Sequence, residues 1–171
     1  EVVRGAKTSN EVLASVMKLA RSLKKVAVVS GVCDGFIGNR MIDYYLRQAE
    51  YLLDEGASPE QVDRALQEWG LAMGPFALSD RVGLDIVHHM RVQRRKERPD
   101  LPYCPISERL FESGRLGLKK MGGYYRYESG SRKPLPDPAC SELLAQCRKE
   151  THAAQREIKD AEIVERCILA L

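Results

Sequence analysis

The sequence predicts a mainly α-helical fold in which a short strand–helix–strand unit precedes a longer helical region. Residues 1–30 contain two β-branched runs separated by a capped helical pattern, whereas apolar residues beyond Gly31 recur with helical spacing. Of the 171 residues, 44% are hydrophobic and 30% are charged, which is ordinary usage for a globular protein. Neither a secretory signal pattern nor an apolar run of the roughly 20 residues that a membrane helix needs is present.

The balance of charges and the spacing of the cysteines limit which ligands and which cellular compartment we expect. The chain has 27 Lys and Arg against 24 Asp and Glu, and this near-balance argues against nucleic-acid binding as its main task. Its five cysteines are scattered without C-x-x-C spacing, which predicts buried free thiols rather than a metal or disulfide framework. Free thiols fit a reducing compartment.

The first thirty residues are predicted to form the last unit of an α/β sheet. Residues 1–4 read as the end of a strand, and residues 8–11 (TSNE) form a capping box for a helix with apolar residues on one face. Residues 26–29 (VAVV) then suit a buried strand. One such unit cannot cover both faces of a sheet, so we expect a sequence cut from a larger fold.

The helical region can be divided at its glycines and prolines. A long helix from about Ile37 is expected to end at Gly56, and residues 58–61 (SPEQ) restart the chain with a cap and a proline. Residues 73–76 (MGPF) make a tight turn into a helical stretch that Gly83 divides. Residues 134–138 are predicted to be a linker, followed by helices over 139–149 and from Asp160.

Two further segments carry possible chemistry. The basic residues 91–98 could contact a phosphate group, or they could form a solvated helix end whose cations suit the helix dipole. Residues 115–127 combine a glycine-rich turn with an aromatic extended segment, which is not a dinucleotide fingerprint because no helix follows the turn.

No complete catalytic set is visible in the residues alone. His88, His89 and His152 lack metal-ligand spacing, so a structural role is favoured for them. Asn39 falls in the first turn of the long helix, where its amide could donate and accept hydrogen bonds to a ligand or could brace the turn.

Several separated motifs, in order, give the chain a specific resemblance. They are residues 1–5 (EVVRG), 35–40 (GFIGNR), 73–76 (MGPF), 80–85 (DRVGLD), 114–117 (GRLG), 123–127 (GYYRY) and 163–167 (IVERC). This order resembles the L-3-hydroxyacyl-CoA dehydrogenase family, and within it the dehydrogenase part of the multifunctional fatty-acid β-oxidation enzymes. Asp34 stands where single-function members usually have proline, which favours the multifunctional branch.

The resemblance implies the domain organisation. Residues 1–30 would be the C-terminal remnant of an NAD-binding Rossmann domain, and residues 31–133 the first helical C-terminal domain of the family. Residues 134–171 would be a linker and the opening helix of a truncated second helical repeat. In the family this helical lobe pairs with another copy, so we expect self-association through an exposed apolar face.

The resemblance also implies an activity and its residues. The family oxidises 3-hydroxyacyl-CoA to 3-ketoacyl-CoA with NAD, which the missing N-terminal domain would bind, and its catalytic His would lie upstream of this sequence. Glu1 matches the carboxylate that orients this His, and Asn39 matches the amide that helps to hold the reacting oxygen. The family's loop that lines the acyl end of the substrate cleft is matched by Met73, Gly74, Pro75 and Phe76. Without the missing domain, the chain is expected to be catalytically inert. The expected location is the cytoplasm of a bacterium or a peroxisome.

Two other interpretations stay open. The chain could be a non-catalytic helical dimerisation or interaction module derived from such an enzyme. It could also belong to another class of two-domain NAD(P) enzyme that acts on small hydroxy acids, but such an enzyme would place a catalytic lysine on the long helix. Residues 37–45 contain no lysine.

Overall fold

The computed structural model describes all of residues 1–171 and divides them into two compact units, Glu1–Tyr44 and Tyr45–Leu171. The fold is mainly α-helical, as predicted. Its strands are β1 (Val2–Arg4) and β2 (Val29–Gly31), and its helices are α1 (Asn10–Ser22), α2 (Gly38–Glu55), α3 (Pro59–Trp69), α4 (Pro75–Val82), α5 (Leu84–Glu97), α6 (Ile106–Glu112), α7 (Pro138–Thr151) and α8 (Asp160–Leu169). None of these helices combines the length and the apolar character needed to cross a membrane.

The first unit contains a parallel strand pair linked by a helix. β1 pairs with β2 in the register Val2 to Val29, with α1 between the two strands in the sequence. The cap of α1 lies one residue later than the capping box predicts: Ser9, not Thr8, accepts a hydrogen bond from the helix, at Val12 N (3.2 Å). Thr8 Oγ1 instead accepts from Gly5 N at 3.1 Å and closes the turn after β1.

The second strand differs from the prediction in position and burial. It begins at Val29 rather than at Val26, and the side chains of Val26, Val28 and Val29 are 96%, 50% and 41% exposed. The unit has two strands and one connecting helix, and none of the residues of α1 is buried. A β-branched run can be buried only where other elements cover it, and this unit supplies too few of them.

The second unit has the hydrophobic core. Its helices pack in the pairs α3 with α8, α5 with α6, α6 with α7, α3 with α4 and α4 with α5. The predicted helix ends are confirmed: Ser58 Oγ accepts from Gln61 N at the start of α3, and Gly56, with φ +137°, follows α2. Gly83 separates α4 from α5, as expected. The fully buried core side chains include Leu52, Leu53, Val62, Leu66, Ile106, Leu110 and Ile163.

The segment between α6 and α7 contains a glycine-rich turn, as predicted, but its aromatic residues 124–127 form bends and an isolated β-bridge instead of the predicted extended segment. Gly117 pairs with Gly122 around a short 3-10 helix at Leu118–Lys120, and Arg126 pairs with Leu135. The predicted linker at 134–138 therefore takes part in this pairing before α7 begins at Pro138. The predicted domain boundaries after residues 30 and 133 stay predictions.

The cysteines are free, and four of the five are buried. Burial raises the pKa of the Cys140 and Cys167 thiols to about 12, so both stay protonated at neutral pH. The expectation of buried thiols is wrong for Cys33, which is exposed in the loop that follows β2. Its Sγ lies 3.8 Å from Arg40 Nη1.

Candidate functional site

The Glu1 side chain is hydrogen-bonded to the start of α2 in the first unit. The Glu1 carboxylate, through Oε1, accepts a hydrogen bond of 2.7 Å from the backbone N–H of Gly38, the first residue of that helix. An acidic group is favoured there because the N-terminal N–H groups of a helix lack intrahelical partners and carry partial positive charge. The second carboxylate oxygen makes no hydrogen bond within the chain.

Asn39 follows directly and lies exposed on the first turn of α2. Its backbone N–H donates to Gly35 O at 3.1 Å, where Gly35 has φ +69°. The side-chain amide makes no hydrogen bond within the chain, so it does not brace the turn and remains able both to donate and to accept. Glu1 thus contacts Gly38, the residue that precedes Asn39.

The 73–76 turn belongs to the second unit and is fixed by Asp63 of α3. The two Asp63 carboxylate oxygens accept from Phe76 N and Ala77 N, each at 2.9 Å, and from the Tyr125 hydroxyl at 2.9 Å. Gly74 approaches so closely that an added Cβ would lie 2.3 Å from Asp63 Cγ. Gly74, Pro75 and Phe76 are buried.

Asp80 of α4 binds the glycine-rich turn in the same manner. Its carboxylate accepts from Tyr124 N and Tyr125 N, each at 2.9 Å, and from the Tyr127 hydroxyl at 3.0 Å. A Cβ on Gly123 would lie 1.9 Å from Asp80 Oδ1, so only glycine fits there. Burial raises the pKa of Asp63 and of Asp80 to about 6, although hydrogen bonds from backbone N–H groups oppose the shift.

A third buried carboxylate, Glu50, is paired with a cation. Glu50 Oε1 accepts from Arg91 Nη2 at 2.5 Å and from the Tyr124 hydroxyl at 2.8 Å. Arg91 also donates to Ser107. Neither sequence interpretation of the basic segment holds for Arg91, because position 91 lies seven residues after Leu84, on the buried face of α5.

The histidines have structural contacts. The His88 ring stacks on Phe111 with centroids 4.1 Å apart, and His89 Nδ1 lies 2.6 Å from Asp85 O. The chain contains no group of three or more His, Cys, Asp or Glu side chains arranged to bind a metal ion. Neither His88 nor His89 has a side-chain hydrogen-bond partner that could act with it in acid–base catalysis.

The second unit also contains a hollow of about 260 Å³ beside the 73–76 turn. Met73, Asp63, Tyr125 and Tyr127 are among its lining residues. Met73 is half-buried and faces this open space.

The residues present do not fit a dinucleotide. The turn between β1 and α1 contains one glycine, Gly5, and a Cβ there would meet only Thr8 Oγ1 at an ordinary contact distance of 3.6 Å. A phosphate-binding turn instead needs several glycines so that its backbone can approach the ligand closely. The turn between β1 and α1 therefore lacks the glycines that a dinucleotide phosphate-binding turn needs.

Sequence reasoning did not assign roles to the buried carboxylates. Asp63 follows Val62 and precedes Ala65 and Leu66 on the apolar side of α3, and Asp80 lies four residues after Phe76. An acidic residue at a core position of an amphipathic helix is the signal that could have identified both.

Comparison with known proteins gives consistent matches. The family described as "3-hydroxyacyl-CoA dehydrogenase, C-terminal domain" matches residues 35–127. The peroxisomal bifunctional enzyme of Danio rerio is 41% identical over 184 residues, which cover 100% of this chain and 26% of that protein. The fatty acid oxidation complex subunit alpha of Psychrobacter sp. is 36% identical, over 99% of this chain and 24% of its own length. The chain thus spans about a quarter of these relatives.

Solved structures agree with the sequence matches. The dehydrogenase part of multifunctional enzyme 1 from C. elegans superposes with a TM-score of 0.73 at 26% identity, covering 97% of this chain and 37% of that one. The (S)-3-hydroxybutyryl-CoA dehydrogenase of Ralstonia eutropha gives a TM-score of 0.67 at 30% identity, over 74% of this chain and 46% of its own.

Proposed function

Because the chain belongs to the 3-hydroxyacyl-CoA dehydrogenase family, we propose that it is the helical, substrate-binding part of an NAD-dependent L-3-hydroxyacyl-CoA dehydrogenase of fatty-acid β-oxidation. The reaction converts 3-hydroxyacyl-CoA to 3-ketoacyl-CoA. One geometric observation carries the proposal: the Glu1 carboxylate accepts a hydrogen bond from the N–H of Gly38, and Asn39, whose side-chain amide makes no hydrogen bond within the chain, is the next residue of α2. A carboxylate acceptor and an amide donor thus belong to the same helix end.

The two residues have distinct roles in this proposal. Gly38 N–H fixes one oxygen of Glu1, which leaves the other oxygen to accept from the imidazole N–H of a His outside this chain. A carboxylate in that place orients the ring and stabilises its protonated form while it removes the proton of the 3-hydroxyl. The Asn39 amide donates to the substrate oxygen and stabilises the charge that develops there.

Substrate binding is assigned to the turn formed by Met73, Gly74, Pro75 and Phe76, in which the half-buried Met73 would face the acyl end and the three buried residues would support it. NAD belongs to the Rossmann domain that would end at residue 30, and without that domain the chain is catalytically inert. Residues 31–133 would be the first helical domain of the family and residues 134–171 the start of a second repeat, as in multifunctional members. A peroxisome or the bacterial cytoplasm is the proposed location, from the relatives' names.

A non-catalytic interaction module is the second candidate, and exposed apolar residues favour it. Ile86 and Met90 lie four residues apart on α5 and are 47% and 38% exposed, and Val82 at the end of α4 is 46% exposed. Exposed apolar residues of this kind would support self-association. It does not conflict with the first proposal, since an enzyme domain can also associate through this face.

The proposal is tested by following NADH absorbance with acetoacetyl-CoA as substrate. The chain alone should give no turnover, whereas a longer protein that joins it to the preceding NAD-binding domain should reduce the substrate. In the longer protein, Asn39→Ala should lower kcat by about 100-fold, the typical loss for one donor to a developing oxyanion. Asn10→Ala, at the other asparagine of the chain, is the control. A longer protein that binds NAD but stays inactive would favour the interaction module.

A further inference from the structure

We propose that Asp63 is a positioning residue that fixes the 73–76 turn and thereby sets the preference for acyl-chain length. The inference rests on the proposed function, in which this turn lines the acyl end. Asp63 is only 4% exposed, and its carboxylate accepts two backbone N–H groups from the start of α4 together with the Tyr125 hydroxyl. One carboxylate therefore joins α3, the turn and the aromatic segment.

The turn has no room to approach Asp63 more closely. An added Cβ at Gly74 would lie within 2.4 Å of three Asp63 atoms, so turn and carboxylate are already in contact. On the other side, the Phe76 ring packs against Tyr124 with centroids 4.6 Å apart. Only Met73 of the turn faces the open hollow. The hydrogen bonds of Asp63 to Phe76 and Ala77 thus fix the end of the turn that follows Met73.

Asp63→Asn disrupts this set of bonds in part, with almost no change in shape. An amide offers one acceptor and one NH2 donor, so at least one N–H group of Phe76 or Ala77, or the Tyr125 hydroxyl, would face a donor instead of an acceptor. The turn should then loosen and the position of Met73 should spread. Long acyl chains that reach the turn would bind less tightly, while a four-carbon substrate that ends before it would be unaffected.

Asp80 provides a matched control. It is as buried as Asp63, and its carboxylate accepts the same kinds of hydrogen bond from two backbone N–H groups and one tyrosine hydroxyl. The Asp80 carboxylate makes no bond to the 73–76 turn. Asp80→Asn should therefore lower stability in the same way without changing chain-length preference. Tyr125→Phe and Tyr127→Phe form a milder pair, because each removes only one hydroxyl donor, to Asp63 and Asp80 respectively.

The first experiment uses the 171-residue chain itself. In Asp63→Asn, amide hydrogen exchange at Phe76 and Ala77 should be roughly tenfold faster, the change expected when about 1.4 kcal/mol of local stabilisation is lost. Exchange at Tyr124 and Tyr125 should stay as in the wild type, and Asp80→Asn should show the reverse pattern. Equal acceleration at all four amides in both variants would reduce Asp63 to a general stabilising residue.

The decisive experiment measures KM and kcat in the longer dehydrogenase with a four-carbon and a sixteen-carbon 3-hydroxyacyl-CoA. Asp63→Asn should raise KM about tenfold for the long substrate, with kcat and the short-substrate KM unchanged, because binding energy remote from the reacting atoms is lost. Tyr125→Phe should raise the ratio of the long-substrate KM to the short-substrate KM by a smaller factor, and Tyr127→Phe should leave this ratio unchanged. If Asp63→Asn and Tyr125→Phe leave the long-to-short ratio at the wild-type value, the inference is wrong. A wild-type enzyme without any activity would instead refute the proposed function.

Discussion

The three buried carboxylates of the second unit differ in their partners. Glu50 faces the guanidinium of Arg91, whereas Asp63 and Asp80 accept only from backbone N–H groups and tyrosine hydroxyls. Without a neighbouring cation, burial is the larger effect and raises the pKa of both aspartates to about 6. These two residues therefore titrate close to neutral pH.

This difference predicts how stability depends on pH. The ordinary pKa of 3.8 is raised to about 6 in the folded state, so each aspartate stabilises the fold fully below pH 3.8 and loses this contribution as pH rises through 6. The free energy of unfolding should fall by ~1 kcal/mol per aspartate between pH 5 and pH 7. The free energy of unfolding, measured with urea at a series of pH values, should fall less steeply with pH in Asp63→Asn and in Asp80→Asn than in the wild type. Variants whose stability depends on pH as steeply as that of the wild type would contradict the assignment.

At the residue scale, the sequence predicts where a polar group lies on a helix but not what it contacts. The position of Asn39 on the first turn of α2 follows from the local pattern of glycines and apolar residues. The bonds of Asp63 to Tyr125 and of Asp80 to Tyr124 join residues 62 and 44 positions apart. Local periodicity contains no information about such distant partners.

At the scale of elements, helix ends were predictable where a side chain or a glycine fixes them locally. Ser58, Pro59 and Gly70 bound α3, and each acts within four residues of its own position. The position of β2 was not predictable in this way, because burial of a strand depends on elements that cover it. The same limit applies to the C-terminal helices, because α7 packs on α6 and α8 packs on α3, both distant in sequence.

Arg148 of α7 illustrates such a distant contact. Its guanidinium donates to Leu53 O at 2.8 Å and to Ala57 O at 2.7 Å, and it thus satisfies carbonyl groups at and just beyond the C-terminal end of α2. Helix α7 therefore stabilises the end of a helix about a hundred residues earlier.

We expect Arg148→Met to lower the free energy of unfolding by about 2 kcal/mol, since two charge-assisted hydrogen bonds to backbone carbonyls are lost. Lys149→Met, at the exposed neighbouring position, is the control and should stay within about 0.5 kcal/mol of the wild type. Chemical denaturation measures both. Equal effects of the two substitutions would show that the bonds of Arg148 contribute nothing to stability.

At the scale of the whole molecule, the two units differ in how much apolar surface they bury. The buried hydrophobic residues all lie at or after Tyr45, whereas α1 in the first unit has no buried residue and Val12, Leu19 and Leu23 are 55%, 57% and 62% exposed. The sequence pattern predicts an apolar face on α1 correctly. Whether such a face is covered depends on the rest of the fold.

The difference in burial predicts unequal local stability. Native-state hydrogen exchange should give high protection to the amides of α3, which carries Val62 and Leu66 in the core, and much lower protection to those of α1. Similar protection factors in the two helices would mean that the first unit is stabilised by contacts beyond those within it.

The central claim is that this chain contributes the orienting carboxylate of a 3-hydroxyacyl-CoA dehydrogenase. It is tested most directly by kcat for acetoacetyl-CoA reduction in the longer enzyme that carries Glu1→Gln. We predict a decrease of about 100-fold or more, because a neutral amide cannot stabilise the protonated imidazole. Glu11→Gln, at an exposed carboxylate of α1, should leave kcat unchanged. A Glu1→Gln enzyme with wild-type kcat would contradict the claim.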